Sequence, residues 1–473
     1  MQLLITGGDC AHARIVVDHL RSAFQLRVVD SYFSAPLPEG AEQRTGDLRE
    51  ETFVTECLRG VEAIFHFAPL SLTLATDLEN LDHTLLGSYW LSHLAKKHGI
   101  ERIILGSSMS LFASTSQHWS ITADWRPQPQ PHVSDLCAYL GECTMREWAR
   151  DRGVPVVCVR FGAADASAAK AIQQAFIARC NGWRILHAVT QSLTTPLLMP
   201  NSISAKPINN IVVFGAGGPM AAAAVQELAP HYRLRVSDVK PIADIIAAGP
   251  RKDQRPDVPM PKLLGAPHEE QVVDVTNAEQ VIAACEGMDA IINCTVIRHH
   301  IEGSFRVNVS GAYNVMKAAV AHGIQRVVHT GPFQMGMEGP LGYGWDDWIV
   351  DDAPPRPGHQ MNTYSHTKYL GQEVARIFAE HFKLVTPCLY FCDFADFVNL
   401  RQPDDYVHPF TTTWSDTARA IRAAVETNAM PSPFEILHVN ADMPQGVYLN
   451  AKAKRILGWQ PQDPTESWWQ RRI

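Results

Sequence analysis

The 473-residue chain lacks any long apolar run and any cluster of basic residues. No stretch approaches the ~20 apolar residues that a membrane-spanning helix needs, and MQLLITGG at the start enters a predicted strand without a charged segment before it. The net charge is −8, whereas nucleic-acid binders usually carry a basic stripe. These absences exclude a membrane or nucleic-acid role, and we expect a cytoplasmic protein.

Closely spaced cysteines are also missing. The ten cysteines are scattered, and none forms a C-x-x-C pair of the kind that binds metals. Single cysteines within apolar runs, such as Cys158 in VVCVRF, are typical of core residues in a reducing compartment. We therefore expect no metal site.

What the chain does contain is an internal repeat. Gly7 in MQLLITGG matches Gly215 in NNIVVFGAGG, and Asp30, which ends LRVVD, matches Asp238, which ends LRVSD; both pairs are 208 residues apart. Three further pairs follow in the same order: GVEAIFHFA with GMDAIINCT, KKHGIERIILGSS with VAHGIQRVVHTGP, and AYLGEC (138–143) with TYSHTK (363–368). This pattern predicts a tandem duplication.

Each repeat alternates short β-rich runs with amphipathic helical segments, which predicts an α/β fold: a doubly wound parallel sheet of the Rossmann type. We expect one unit over 1–190, a linker over 191–207 and a second unit over 208–473. The second unit continues well beyond its fifth strand, so it also carries a small C-terminal α/β subdomain that the first lacks.

The second unit begins with a glycine-rich turn in which Gly215, Gly218 and Ala221 have the spacing G-x-x-G-x-x-A. Such a turn lets backbone N–H groups hold a pyrophosphate. Asp238 can accept the adenosine ribose hydroxyls and would repel a 2′-phosphate, which favours NAD over NADP. Asp274 follows the third strand, where it either reaches the adenine or caps a turn.

The corresponding turn of the first unit has Cys10 in place of the middle glycine and Ala13 in the third position. A side chain at the middle position intrudes where the backbone should approach phosphate. Nucleotide binding by the first unit is therefore predicted to be impaired.

Tyr364 and Lys368 are four residues apart and lie on one helical face. An ammonium group beside the phenol would favour phenolate and lower the tyrosine pKa. AYLGEC, as matched above, has Tyr139 but Cys143 in place of the lysine. His299 and His300, in IRHH, either touch a substrate or form a surface pair.

Together these motifs make the chain resemble the extended short-chain dehydrogenase/reductases, also called NAD-dependent epimerase/dehydratases. The resemblance implies that Tyr364 is the catalytic acid/base and that Lys368 binds the nicotinamide ribose. It also implies that Gly215, Gly218 and Ala221 lie under the pyrophosphate, with Asp238 at the adenosine ribose, and that the segment from TTTWSDTARAI onward binds a substrate.

The second unit departs from the family after its fourth strand, where members have a catalytic Ser or Thr. The first unit has Ser108 there in SSMSLFA, whereas the second reads TGPFQMG, which we match as Gly331 at that position and Thr330 one residue earlier. Either Thr330 or another polar group such as Gln334 then holds the substrate oxygen, or the site binds cofactor without turnover.

These observations predict an NAD-dependent oxidoreductase or epimerase acting on a small sugar, sugar nucleotide or polyol-like molecule, with its site in the second unit. The alternative is a non-catalytic dinucleotide-binding scaffold or redox sensor. For the first unit we expect a structural role in an intramolecular pseudo-dimer within a monomeric chain, in which helices near 78–98 and 135–151 pack against those near 303–322 and 361–381. An independent but degenerate cofactor sensor is the other possibility.

Overall fold

A computed structural model describes residues 1–115, 121–123, 125–162, 164–188, 207–251, 258–332, 338–339, 342–343, 362–396, 411–428, 430–442 and 449–465. The chain divides into two compact units, Met1–Met199 and Pro200–Ile473. Apart from Pro207, the predicted linker over 191–207 lies outside the described residues.

The first unit is built on a seven-stranded sheet. Its strands are β1 (Gln2–Thr6), β2 (Gln25–Asp30), β3 (Ala41–Thr45), β4 (Ala63–His66), β5 (Arg102–Ser108), β6 (Val156–Phe161) and β7 (Trp183–Ala188). They are all parallel and lie in the order β3-β2-β1-β4-β5-β6-β7. The connecting helices are α1 (Ala11–Leu20), α2 (Glu51–Cys57), α3 (Asp77–Ala95), α4 (Val133–Arg152) and α5 (Ala166–Ile177).

The second unit has a seven-stranded sheet of the same order. Its strands are β8 (Asn210–Phe214), β9 (Arg233–Asp238), β10 (Glu269–Val272), β11 (Ala290–Asn293), β12 (Arg326–Pro332), β15 (Thr386–Phe391) and β18 (Phe434–His438). They are again parallel, in the order β10-β9-β8-β11-β12-β15-β18. Two small two-stranded sheets pair β13 (Glu338–Gly339) with β14 (Gly342–Tyr343) and β16 (Asp393–Ala395) with β17 (Thr411–Thr413).

The helices of the second unit cover both faces of its sheet. They are α6 (Pro219–Leu228), α7 (Ile242–Ala248), α8 (Ala278–Cys285), α9 (Ile301–Phe305), α10 (Gly311–Ala321), α11 (Thr363–Phe382), α12 (Trp414–Glu426) and α13 (Ala451–Leu457). A π-helical turn, Arg306–Ser310, joins α9 to α10. Helices α6 and α12 pack together over one face, with an apolar core that includes Val213, Val328 and Ile421. The predicted fold class, two Rossmann-type parallel-sheet units, is confirmed.

The sequence match between AYLGEC and TYSHTK is wrong. Helices α4 and α11 each have 20 residues, and both their first residues (Val133 and Thr363) and their last residues (Arg152 and Phe382) are 230 positions apart. The same shift matches AYLGEC with KYLGQE (368–373).

This shift changes the contents of the first unit. Tyr139 then corresponds to Tyr369, and the counterparts of Tyr364 and Lys368 are Ser134 and Ala138. The first unit therefore has neither the tyrosine nor the lysine of the pair.

Side-chain contacts agree with the corrected match. Glu142 of α4 accepts from Ser107 at 2.6 Å and from Arg160 at 2.8 Å. Its counterpart Gln372 accepts a hydrogen bond from Tyr390, which stands where the first unit has Arg160.

Strand pairing corrects the serine position as well. Ser107 pairs with Arg160, and Gly331 pairs with Tyr390, so Gly331 corresponds to Ser107 and not to Ser108. The residue at the Ser108 position is Pro332. A β-carbon on Gly331 would come within 2.6 Å of the Tyr390 ring, so that ring fills the space a side chain would need.

Among the described residues, no helix is long and apolar enough to span a bilayer. No group of three or more His, Cys, Asp and Glu side chains in that part of the chain is placed to hold a metal ion.

Candidate functional site

The glycine-rich turn of the second unit lies between β8 and α6. Gly215 has φ +77°, and a β-carbon there would lie 3.0 Å from the carbonyl carbon of Cys294, so both the backbone conformation and the space require glycine. Gly218 is the N-cap of α6 and makes no side-chain cap. The backbone N–H groups at the N-terminus of α6 can therefore donate to an anion. Ala221 is buried in the core beneath the turn, where its small size brings α6 close to the sheet.

Asp238 ends β9 beside this turn and is partly exposed. Its Oδ2 accepts the Gly217 N–H at 2.9 Å, and its Oδ1 accepts the Val239 N–H at 2.8 Å. Each carboxylate oxygen has a second lone pair, so the group can still accept the hydroxyls of a ligand.

Asp274 makes the turn-capping contacts that one of its two sequence interpretations predicts. Its Oδ1 accepts from the backbone N–H of Thr276 at 2.9 Å and from the Thr276 hydroxyl at 2.8 Å. The proposed contact with adenine stays a prediction.

In the first unit, the turn and the aspartate that correspond to the glycine-rich turn and Asp238 are hydrogen-bonded to side chains of the protein itself. The Sγ of Cys10 caps α1 by accepting the Ala13 N–H at 3.4 Å, which takes up an amide that a phosphate would use. Asp30 is fully buried, and its carboxylate accepts the hydroxyls of Ser71 at 2.8 Å and Thr73 at 3.3 Å. These two hydroxyls satisfy the carboxylate in the way that a ribose diol would.

The other side of the first unit's cleft is filled as well. Asp47, the counterpart of Asp274, forms an ion pair with Arg49 at 2.7 Å. Phe67 stands at the position of Cys294, and its ring packs 5.9 Å from that of Phe161 in the core. The first unit therefore has the strand ends of a nucleotide-binding sheet but supplies its own side chains to them.

Helix α11 holds Tyr364 and Lys368 on one face. The side chain of its N-cap residue, Asn362, accepts the Ser365 N–H at 2.8 Å, which fixes the first residue of the helix at Thr363. Lys368 is only 4% exposed. Burial lowers its pKa to about 8; the charge of Arg298 acts in the same direction, while the Cys388 and Cys294 thiols oppose it.

The cation that acts on the pKa of Tyr364 is Arg298 rather than Lys368. The Arg298 guanidinium carbon lies 5.4 Å from the centroid of the Tyr364 ring. Burial raises the pKa of the Tyr364 phenol, and the charge and hydrogen bond of Arg298 act against that rise. The sequence motif assigned this role to the lysine; a single arginine in a loop gave no pattern that would have identified it.

Asn308, in the π-helical turn, connects this loop to α11. Its side chain accepts the Ile297 N–H at 3.0 Å, donates to the Ile297 carbonyl at 2.9 Å and donates to the Thr367 hydroxyl at 2.9 Å. A β-carbon on Gly371 of α11 would lie 2.0 Å from the Asn308 carbonyl oxygen, so helix and turn are in close contact. Arg298 and Tyr364 are thereby held next to each other.

The remaining predicted residues have mixed outcomes. Thr330 is buried, and its hydroxyl donates to the Asn293 carbonyl at 3.0 Å, so its catalytic role stays a prediction. His300 caps α9, with Nδ1 accepting the Gly303 N–H at 2.9 Å. Gln334 lies outside the described residues.

A family model matches part of the second unit: residues 212–376 match that of the 3-beta hydroxysteroid dehydrogenase/isomerase family. The prediction of an extended short-chain dehydrogenase/reductase is confirmed for that segment, which includes the glycine turn, Asp238, Tyr364 and Lys368. The tandem duplication stays a prediction.

Two curated relatives are uronate dehydrogenases. That of Pseudomonas putida is 28% identical over 189 residues, which cover 38% of this chain and 59% of the relative. That of Pseudomonas syringae pv. tomato is 28% identical over 164 residues, covering 34% and 58%. The chain thus spans less than two thirds of the length of either. The solved uronate dehydrogenase from Agrobacterium tumefaciens aligns over 55% of this chain and 86% of its own, with a TM-score of 0.43 and 22% identity.

The burial of Lys368 makes a prediction about stability. In the unfolded chain its pKa is near 10.5 and in the folded chain about 8, so burying the ammonium costs up to about 3 kcal/mol below pH 8. That cost disappears as the pH rises from 8 to 10.5. We expect Lys368→Met to raise the free energy of unfolding of the cofactor-free protein at pH 7, with an advantage that shrinks towards pH 10.5.

Thermal unfolding at pH 7 and pH 10 measures this difference. Lys317→Met, which removes an exposed lysine from α10 of the same unit, is the matched control and should show little dependence on pH. A Lys368→Met protein that is less stable than the wild type at pH 7 would contradict the expected burial.

Proposed function

We propose that the second unit is an NAD-dependent oxidoreductase or epimerase that acts on a hydroxyl or carbonyl group of a sugar-like substrate. The observation that carries the proposal is the placement of Tyr364 and Lys368 on one face of α11, in a unit whose glycine turn and Asp238 remain available. The first unit lacks this combination, since Ser134 and Ala138 stand in place of Tyr364 and Lys368.

The residues present fit a bound NAD. A helix N-terminus with no side-chain cap suits its pyrophosphate, and a partly exposed carboxylate at the end of the second strand suits its adenosine ribose. Asp238 would repel the 2′-phosphate of NADP. When bound, NAD would supply the hydride acceptor.

Tyr364 is the proposed acid/base. In the oxidative direction the Tyr364 phenolate would take the proton of the substrate hydroxyl, and bound NAD would accept the hydride from the carbon that bears this hydroxyl, which would leave a carbonyl. The positive charge of Arg298 favours the phenolate form. Lys368 would also hold the nicotinamide ribose, and Thr330 is the proposed hydroxyl partner of the substrate oxygen.

The relatives favour a dehydrogenase whose substrate is a sugar acid, since the curated proteins with 28% identity are uronate dehydrogenases. A second candidate, a cofactor-binding scaffold without turnover, is favoured by one feature. Pro332 stands where the first unit has Ser108, so the second unit has no hydroxyl at that position.

We propose that the first unit has a structural role, as the partner in an intramolecular pseudo-dimer of a monomeric, cytoplasmic chain. The first unit supports a structural role because its own side chains take the places that a cofactor would use: Ser71 and Thr73 bond to Asp30, and Arg49 pairs with Asp47. The filled cleft speaks against a separate sensor.

The pseudo-dimer predicts the solution mass of the protein. If the helix pairs meet within one chain, sedimentation equilibrium should give a monomer of 52.4 kDa over a wide concentration range. A stable dimer of whole chains would contradict this arrangement.

Titration calorimetry of the cofactor-free protein tests the cofactor assignment. We expect one NAD site per chain and weaker binding of NADP. Gly218→Asp places a carboxylate at the N-terminus of α6 and should weaken NAD binding about tenfold or more. The equivalent change in the first unit, Cys10→Asp, retains an N-cap residue and should leave NAD binding unchanged. Two equivalent sites would overturn the asymmetry between the units.

Tyr364→Phe tests the catalytic role. Removing the phenol hydroxyl should lower kcat by about 10²- to 10⁴-fold while the affinity for NAD stays the same. Tyr369→Phe, which changes a buried tyrosine on the same helix, is the control and should retain most of the activity. Full turnover by Tyr364→Phe would remove Tyr364 from the mechanism, and no turnover by the wild type on any sugar would favour the scaffold.

A further inference from the structure

An exposed arginine stands beside the proposed acid/base. Arg298 lies in the segment after β11, with its guanidinium carbon 5.4 Å from the centroid of the Tyr364 ring. Within the described part of the chain, no carboxylate forms an ion pair with it. A guanidinium has five N–H donors, so most of them remain for another partner.

The position of Arg298 is fixed by its neighbours. The preceding residue, Ile297, is bonded through both its N–H and its carbonyl to the side chain of Asn308, and its carbonyl also accepts from Ser304 at 3.2 Å. Asn308 in turn donates to Thr367, the residue before Lys368. The loop is therefore tied to the helix that carries Tyr364, and the arginine is held at the reacting end of that helix.

The nearby carboxylate of Glu302 is already engaged. It pairs with Arg306 at 3.1 Å, a contact between residues four apart on the α9 segment. The Arg298 guanidinium is thus a positive charge beside Tyr364 that Glu302 does not neutralise, and the buried Lys368 lies four residues further along α11. Such a site favours an anionic ligand, and the planar fork of an arginine matches a carboxylate with two parallel hydrogen bonds.

We propose that Arg298 binds the carboxylate of the substrate and so selects a sugar acid over a neutral sugar. This inference rests on the proposed function, because it places the reacting hydroxyl at Tyr364. A substrate hydroxyl that bonds to the phenol oxygen lies within reach of the same guanidinium. The carboxylate must then be close to the carbon that is oxidised, as it is across the ring oxygen of a hexuronic acid in its pyranose form.

The test compares acids with neutral sugars on the full-length protein with NAD. The probes are galacturonate and glucuronate against galactose and glucose, with glucose 6-phosphate as a second kind of anion. Turnover is followed by NADH absorbance, and binding is followed separately by calorimetry. Arg298→Gln removes the charge, and Arg298→Lys keeps the charge but not the fork. Arg455→Gln, which removes an exposed arginine from α13 of the same unit, is the matched control.

We expect Arg298→Gln to raise the KM and the dissociation constant for the acids about tenfold to hundredfold and to leave those for the neutral sugars unchanged. Arg298→Lys should give values between those of the wild type and those of Arg298→Gln, and Arg455→Gln should resemble the wild type. The binding of NAD should be the same in all four proteins.

Three results would overturn the assignment: equal binding of acids and neutral sugars by the wild type, tighter binding of a sugar phosphate than of either acid, or an equal fall in kcat for acids and neutral sugars in Arg298→Gln with KM unchanged. The last would mean that Arg298 acts only on Tyr364. If the acids bind without turnover and Arg298→Gln abolishes that binding, the proposed catalysis fails while the role of Arg298 stands.

Discussion

Polar groups at the carboxyl ends of parallel strands need hydrogen-bonding partners, and the source of those partners distinguishes the two units. In the first unit the protein itself provides them: Ser71 and Thr73 for Asp30, and Arg49 for Asp47. In the second unit, the hydrogen bonds of the Asp238 side chain within the described residues come from the backbone N–H groups of Gly217 and Val239. The same fold therefore has a sheet edge satisfied by the protein in one unit and an edge that can accept a ligand in the other.

Much of this was predictable from the sequence, because the strong signals are local. The glycine at φ +77° and the aspartate that ends the second strand follow from short motifs, and the alternation of strands and helices predicts the sheets. The match of Tyr139 with Tyr364 failed because two residue types at one helical spacing recur easily within a 20-residue helix. Only helix ends and strand pairing determine which tyrosine corresponds to which. Arg298 could not be predicted, since its position depends on the fold of a loop.

The corrected correspondence also shows how one core position can be filled in two ways. The first unit has Ser107, Glu142 and Arg160 in a buried ion pair with an added hydroxyl, and Arg160 is only 2% exposed. The second unit has Gly331, Gln372 and Tyr390, in which a phenol and an amide replace the charges. Exchanging a single member would leave a buried charge or a donor without a partner, so the three residues are expected to change together.

The Asp30 carboxylate accepts hydrogen bonds from side chains of its own unit, and this has a consequence for how the stability of the chain depends on ligands. A binding site that gains stability from a ligand becomes more ordered as the ligand becomes more abundant. Asp30 has its partners built into the covalent sequence, so it needs no ligand to satisfy its carboxylate. If the second unit binds NAD as proposed, its stability would rise with the concentration of that coenzyme.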